Sequence, residues 1–132
     1  MFEKPINARP CVCLSGLEYF ECCGRFHSGE ARAGTAEQLM RSRYSAFVLL
    51  DADYLMATWH PRTAPAELEL DQGMQWRRLD ILSATGGPFD TEGTVEFKAH
   101  FLYGGERGVH HETSRFVREE GRWYYVDAVL IS

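Results

Sequence analysis

Residues 94–102 read Thr-Val-Glu-Phe-Lys-Ala-His-Phe-Leu, and this stretch decides the class of fold. Apolar and polar residues alternate along it, which is typical of a β-strand with one face on the core and the other in water. The apolar set is Val95, Phe97, Ala99 and Phe101, and the polar set is Glu96, Lys98 and His100. The sequence therefore predicts a half-buried strand of an antiparallel sheet.

The same two-residue period continues on both sides of this stretch. We predict four strands, over residues 76–84, 94–102, 109–118 and 123–131. Turn residues separate them at 86–88, 103–108 and 119–122. Strands that follow one another with short turns between them favour an antiparallel meander.

Before residue 74 the apolar spacing changes to that of helices. Thr35 begins the first helix, and Gln38 three residues later completes a capping box. Asp51 begins a second helix that ends before Pro61, and residues 64–73 form an irregular stretch or a short helix. The apolar stripe of the first helix consists of Leu39, Met40, Tyr44, Phe47, Val48 and Leu50. Helices followed by a meander predict an α+β domain with helices on one face of a curved sheet.

All four cysteines of the chain lie in a segment of 17 residues, 11–27, which also contains His27. They are Cys11, Cys13, Cys22 and Cys23. Four thiolates and an imidazole this close together are the ligands that a structural zinc ion selects. The alternatives are a pair of disulfides or four buried free thiols. A site closed by four protein ligands leaves no position for water, so we expect the zinc to be structural rather than catalytic.

The local sequence indicates how these side chains converge. Cys11 and Cys13 are two residues apart, which suits a tight turn. Residues 17–23 are long enough for about two helical turns that return the second cysteine pair to the first. Gly24 is expected to end that helix.

Composition sets limits on the function. The chain has 132 residues, of which 45% are hydrophobic, and this predicts one compact domain with a short appendage. The longest apolar run, residues 46–50, is far shorter than the roughly 20 residues of a membrane span, and no signal segment is apparent, so we expect a soluble cytoplasmic protein with reduced thiols. A net charge of -5 argues against nucleic acid as a partner.

The pattern Cys-x-Cys-x8-Cys-Cys resembles the SEC-C motif, a small zinc-binding element. The resemblance implies that Cys11, Cys13 and Cys22 are ligands and that Cys23 occupies the fourth position, which in the motif is Cys or His. His27 is the rival fourth ligand, because it follows Cys23 by four residues. Val12 and Leu14 stand where the motif commonly has Pro and Gly.

Nearly the whole chain resembles the bacterial YchJ family. The matching phrases are residues 39–47, 53–55, 58–61, 93–97, 111–112, 114–118 and 121–127, together with the cysteine segment. That family is described as a SEC-C motif joined to an NTF2-like (cystatin-like) α+β cone, and its function is uncharacterised. The resemblance implies a zinc-binding knuckle over residues 1–30 and an NTF2-like domain over residues 31–132.

Several polar and aromatic residues of the predicted cone are candidates for a ligand pocket. They are Trp59, His60, Glu96, Glu112, Tyr125 and Asp127, with Arg41 or Arg43 contributed by the first helix. A carboxylate in such a cavity can act as a general base. Arginines near acidic residues are more often ion pairs, and aromatic residues in strands are more often core, so the residues favour a non-enzymatic role over catalysis without deciding between them, and we assign no catalytic residue.

The leading hypothesis is a non-enzymatic binding or adaptor module. The zinc knuckle would contact a protein complex, and the cone would hold a small ligand. The alternative is a small-molecule enzyme or ligand carrier that uses the cone pocket. The cavity itself discriminates between them, because a cone filled with Trp, Phe and Tyr side chains excludes the enzyme, whereas a polar, open cavity containing Glu96 or Glu112 favours it.

Overall fold

A computed structural model describes residues 9–130 of the chain, so the outer limits of the two predicted units and the predicted strand end at Ile131 lie outside the described residues. Within this range, four strands form one antiparallel sheet in the order β1-β2-β3-β4. They are β1 (Met74–Ala84), β2 (Glu92–Tyr103), β3 (Glu106–Glu119) and β4 (Arg122–Leu130). The predicted meander is confirmed, and the first three strands are longer than predicted.

Two of the turns are tighter than the sequence suggested. Gly104 and Gly105 connect β2 to β3 with φ angles of 60° and 85°, and Glu120 and Gly121 connect β3 to β4 with φ angles of 53° and 76°. Two successive left-handed residues match the right-handed twist of the flanking strands. As a consequence, Gly108, which we had predicted to be in the turn, lies within β3.

Among the described residues, three α-helices precede the sheet: α1 (Cys23–His27), α2 (Ala36–Val48) and α3 (Ala52–Ala57). The predicted starts of α2 and α3 are confirmed, because the Thr35 hydroxyl accepts the Gln38 N–H at 3.1 Å and the Asp51 carboxylate accepts the Tyr54 N–H at 3.1 Å. The second bond of the predicted capping box differs, since Gln38 Oε1 accepts the Gly34 N–H at 2.7 Å rather than that of Thr35. The apolar stripe of α2 is one position shorter than predicted, since Leu50 follows the helix and is exposed. None of the helices in residues 9–130 has the length and apolarity needed to cross a bilayer.

The main core lies between α2 and the inner face of the sheet. Leu39, Met40 and Tyr44 of α2 are buried against apolar side chains of the strands. The alternation predicted for β2 is confirmed, since Val95, Phe97 and Ala99 are at most 3% exposed. The chain thus has the predicted α+β architecture, with helices covering one face of the sheet.

The outer face of the sheet is mainly polar, with Val109 and Val129 as exposed apolar residues on it. Asp80 accepts a hydrogen bond from His100 on the neighbouring strand at 2.9 Å, and Glu96 accepts one from His111 at 2.8 Å. Such cross-strand pairs stabilise an exposed sheet face modestly.

Candidate metal centre and cone cavity

The four cysteine sulfur atoms meet at one point. All four Sγ atoms lie within 4.8 Å of one another, and all four residues are buried. Cys13 Sγ is 3.5 Å from Cys22 Sγ, which is 3.9 Å from Cys23 Sγ. Sulfur atoms bound tetrahedrally at about 2.3 Å from a zinc ion are about 3.8 Å apart. The cluster is therefore compatible with a metal ion at its centre.

The second cysteine pair is not presented by the predicted helix over residues 17–23. A short 3-10 helix (Tyr19–Glu21) is followed by a break at Cys22, with φ and ψ of -115° and -112°, and α1 begins only at Cys23. Adjacent residues of a continuous helix point about 100° apart. The break at Cys22 instead allows both sulfur atoms to face the same point.

Gly24 lies inside α1 and does not end a helix, which corrects our prediction. A Cβ atom at this position would be 2.8 Å from the Tyr19 carbonyl oxygen and 2.9 Å from the Tyr19 ring. The glycine therefore permits close packing within the knuckle.

The first pair lies in a tight turn, as predicted. The Leu14 N–H donates to the Cys11 carbonyl at 3.1 Å, and the Cys11 N–H donates to the Leu17 carbonyl at 2.8 Å. Leu14 has a φ of 66°, in the left-handed region that favours glycine. The departure from the SEC-C pattern at this residue thus places a bulky side chain where backbone strain is expected.

The cysteine thiols strongly perturb one another. Side-chain hydrogen bonds from Cys13 and Cys23 lower the pKa of Cys11, whereas the hydrogen bond with Cys11 raises the pKa of Cys13 to about 11. Hydrogen bonds with Cys11 and Cys13 together with burial also raise the pKa of Cys23. Buried thiolates this close repel one another, so all four ionise together only when a cation balances their charge. The donor set fits such a cation.

His27 lies outside the cysteine cluster, although it was the rival fourth ligand. Its Nε2 donates to the Ser42 carbonyl at 2.8 Å, so in the neutral ring Nδ1 is free to accept from the Tyr19 hydroxyl at 2.5 Å. Burial raises the pKa of Tyr19 to about 12, which keeps its hydroxyl protonated at neutral pH. Both ring nitrogens are engaged, and His27 joins the knuckle to α2 instead.

Other contacts also hold the knuckle against α2. Arg41 Nη1 donates to the Cys13 carbonyl at 2.8 Å, and the Ser45 hydroxyl lies 3.7 Å from Cys11 Sγ. Phe26 of α1 is buried in the main core. The cysteine cluster is thus fixed to the helix that covers the sheet.

A cavity of about 350 Å³ lies between α2 and the inner face of the sheet. Most of its wall is apolar or aromatic, with contributions from Met40, Tyr44, Phe47, Trp59, Met74, Trp76, Phe97, Ala99 and Tyr125. Its polar side chains are Arg43, His110, Glu112 and Ser114. The cone is therefore not filled by its aromatic residues, so the outcome that excludes the enzyme is not found. Glu112 lies in the cavity wall and Glu96 does not, and the wall is mainly apolar rather than polar.

Three of the predicted pocket residues line this cavity: Trp59, Glu112 and Tyr125. Arg43 also lines it, whereas Arg41 pairs with Glu37 at 3.0 Å on the surface of α2.

The other three predicted pocket residues lie elsewhere. His60 binds the Glu119 carboxylate at 3.0 Å, and Glu96 is on the outer face because it alternates with the buried residues of β2. Asp127 is also on the outer face, where it forms an ion pair with Arg115.

His110 is a cavity residue that we did not predict. Its Nε2 donates to Glu112 Oε1 at 2.6 Å. The available signal was strand alternation, because residues 110, 112 and 114 share one face of β3 with the buried Phe116.

Comparisons with known proteins agree with this architecture. The model of the YchJ middle NTF2-like domain matches residues 35–128. A UPF0225 protein of Streptomyces coelicolor is 56% identical over 123 residues, which cover 92% of this chain and 96% of the relative. A UPF0225 protein of Bordetella pertussis is 48% identical over 130 residues, which cover 96% of this chain and 97% of the relative.

Two solved structures are similar over most of the chain. The solution structure of a SEC-C motif containing protein from Rhodopseudomonas palustris has a TM-score of 0.82 and 34% identity, and the match covers 92% of this chain and 98% of that protein. The crystal structure of a SEC-C motif containing protein from Psychrobacter arcticus has a TM-score of 0.78 and 30% identity, covering 96% of this chain and 85% of that protein.

Proposed function

The chain belongs to the YchJ (UPF0225) family with an NTF2-like fold, and from this premise we propose that it is a non-enzymatic module that binds a small ligand in its cone cavity. We further propose that its SEC-C-like cysteine knuckle holds one structural zinc ion. The cavity carries the first part of the proposal. A largely apolar space of about 350 Å³ with a few converging polar groups has the size and character of a small-molecule site.

The donor set supports zinc as the metal. Four buried cysteine sulfurs are soft ligands that select zinc over magnesium or calcium, and a closed set of four is typical of structural sites. Cys11, Cys13, Cys22 and Cys23 would hold the ion, and its charge would allow the four thiols to ionise. The division into a knuckle (1–30) and a cone domain (31–132), and a cytoplasmic location where the thiols stay reduced, belong to the same proposal.

Metal analysis tests the knuckle. We expect one zinc per chain after purification without added metal, and loss of the zinc in Cys13→Ser. Removal of the ion with a chelator should raise amide hydrogen exchange over residues 11–27 and leave the strands of the sheet protected. Purified protein without metal, or a knuckle whose exchange is unchanged by chelation, would contradict this part of the proposal.

Native mass spectrometry tests the cavity. We expect a co-purified small molecule, or a stabilising compound from a ligand screen, that binds the wild type. Ala99→Leu places extra carbons in the cavity wall and should abolish that binding, whereas Ala84→Leu at the exposed end of β1 should not. Binding that survives Ala99→Leu, or a wild type that neither carries nor binds a ligand, would refute the cavity as the site.

Two observations favour further candidate functions. The His110–Glu112 hydrogen bond within the cavity favours an enzyme that uses general acid–base chemistry, and turnover of an identified ligand would show this. The exposed apolar side chains of Leu14, Leu17 and Phe20 on the knuckle favour contact with a protein complex. A pull-down that compares the wild type with Phe20→Ser tests contact of the knuckle with a protein complex. An unchanged set of partners in the variant would contradict this candidate function.

A further inference from the structure

Arg43 is a buried cation in the wall of the cavity. Its residue is only 4% exposed. Nη1 donates to the Leu55 carbonyl at 2.8 Å and to the Thr58 hydroxyl at 2.7 Å. A guanidinium has five N–H groups, and the hydrogen bonds within residues 9–130 use only those of Nη1. Its Nε and Nη2 edge is therefore available to a ligand.

Arg43 forms no direct ion pair with a carboxylate of residues 9–130, although the charge of Glu112 in the same cavity wall favours its cationic form. The ion pairs of the described part of the chain do not include it. Glu112, the acidic residue of the cavity wall, instead accepts a hydrogen bond from His110. Burial lowers the pKa of Arg43 to about 10, so the group remains a cation at neutral pH.

Contacts with two aromatic rings offset part of the free-energy cost of burying the Arg43 charge. The Arg43 guanidinium carbon lies 4.4 Å from the ring centre of Tyr125 and 5.2 Å from that of Trp59. Such cation–π contacts stabilise a buried cation but supply no hydrogen-bond acceptor for the N–H groups of Nε and Nη2. A buried charge normally requires both a counter-charge and hydrogen-bond partners. A ligand anion would supply both.

We propose that the cavity binds a small molecule with a flat apolar body and one carboxylate, which accepts two hydrogen bonds from Nε and Nη2 of Arg43. This inference rests on the proposed function and names its ligand class. A carboxylate matches the planar fork of a guanidinium. A phosphate monoester carries more charge than one arginine balances, and Arg43 is the only arginine or lysine in the wall of this cavity, which is built from described residues. The aromatic rings of Trp76 and Phe97 provide surfaces for the apolar body.

A pair of probes that differ in charge but hardly in shape tests the proposal on the wild-type protein. Naphthylacetate and naphthylacetamide are titrated by calorimetry at low salt, and their position is followed by NMR shifts of the tryptophan indoles. The carboxylate should bind about tenfold or more tightly than the amide, because a charge-assisted bidentate contact is lost in the amide. Equal affinities, or a preference for the amide, would overturn the inference.

Two variants assign the effect to the residue. Arg43→Gln should abolish the preference for the carboxylate. Arg115→Gln also removes a positive charge, but from the outer face, so this variant should keep the preference for the carboxylate. If Arg43→Gln does not fold, the comparison of the two probes on the wild type still decides the question. Binding of both probes without preference would refute the ligand class and leave the cavity function intact. Failure of the carboxylate to bind, while a different co-purified ligand is found, would likewise refute only the ligand class.

Discussion

His27→Ala tests which of two roles His27 has: a ligand of the metal, or a residue that fixes the knuckle to α2. The substitution removes the hydrogen bonds to Ser42 and Tyr19, at about 1 kcal/mol each, and two ring contacts, with Tyr19 and Tyr54, at about 0.5 kcal/mol each. We therefore expect the free energy of unfolding to fall by about 3 kcal/mol. No cysteine sulfur is affected, so the metal content should stay at the wild-type value.

Urea unfolding followed by tryptophan fluorescence measures the stability, and elemental analysis after gel filtration measures the metal. His111→Ala is the matched control, because His111 binds Glu96 on the outer face of the sheet. It should cost less than about 1 kcal/mol and leave the metal in place. Two results together would refute the reasoning: loss of the metal from His27→Ala, and a free energy of unfolding of His27→Ala no lower than that of His111→Ala.

Three further predictions concern the backbone and the sheet. Leu14→Gly should raise the free energy of unfolding by about 1 kcal/mol in urea titrations, because a left-handed leucine is strained, and a decrease would contradict this. Gly108→Ala should lower the free energy of unfolding by about 1–3 kcal/mol, since the new Cβ would overlap the Phe101 ring, and unchanged stability would show that this approach is not tight. The hydrogen bond from Arg115 holds the pKa of Asp127 in the folded protein below its usual range. The pairing of the two residues therefore stabilises the fold above about pH 4, and this contribution is lost as the pH falls through the pKa of Asp127 in the folded protein. Asp127→Asn should therefore be slightly less stable than the wild type at about pH 7 and equally stable at about pH 2, and a difference that persisted in acid would oppose this account.

The alternation of apolar and polar residues along the strands was sufficient to predict most of the fold and part of the cavity wall. Residues 93–99 of β2 alternate between buried and half-buried, and the buried set of Val95, Phe97 and Ala99 faces α2 as predicted. The same alternation places Glu96 on the opposite face, so its assignment to the pocket conflicted with the pattern itself. Glu112 shares its face with Phe116, and it does line the cavity.

Asp127 could not be placed in this way, because the pattern of β4 is interrupted. Arg115 pairs with Asp127 and Phe116 pairs with Tyr125, so Val126 is an extra residue in β4 at this point. A bulge reverses which side chains face the core beyond it. Tyr125 therefore points into the cavity and Asp127 points outward, although a regular strand would place both on one face. Nothing in the local composition marks this position as a bulge.

Helix α2 connects the cysteine cluster to the cavity. Arg41, Ser42 and Ser45 contact the knuckle, whereas Arg43 and Tyr44 line the cavity. Both sets belong to one helix of 13 residues, so the orientation of α2 relative to the sheet determines the position of the Arg43 guanidinium. A knuckle that is folded around a metal fixes one side of this helix and thereby holds the opposite side over the sheet. A structural metal would then serve ligand binding without touching the ligand, because it keeps the buried cation in place.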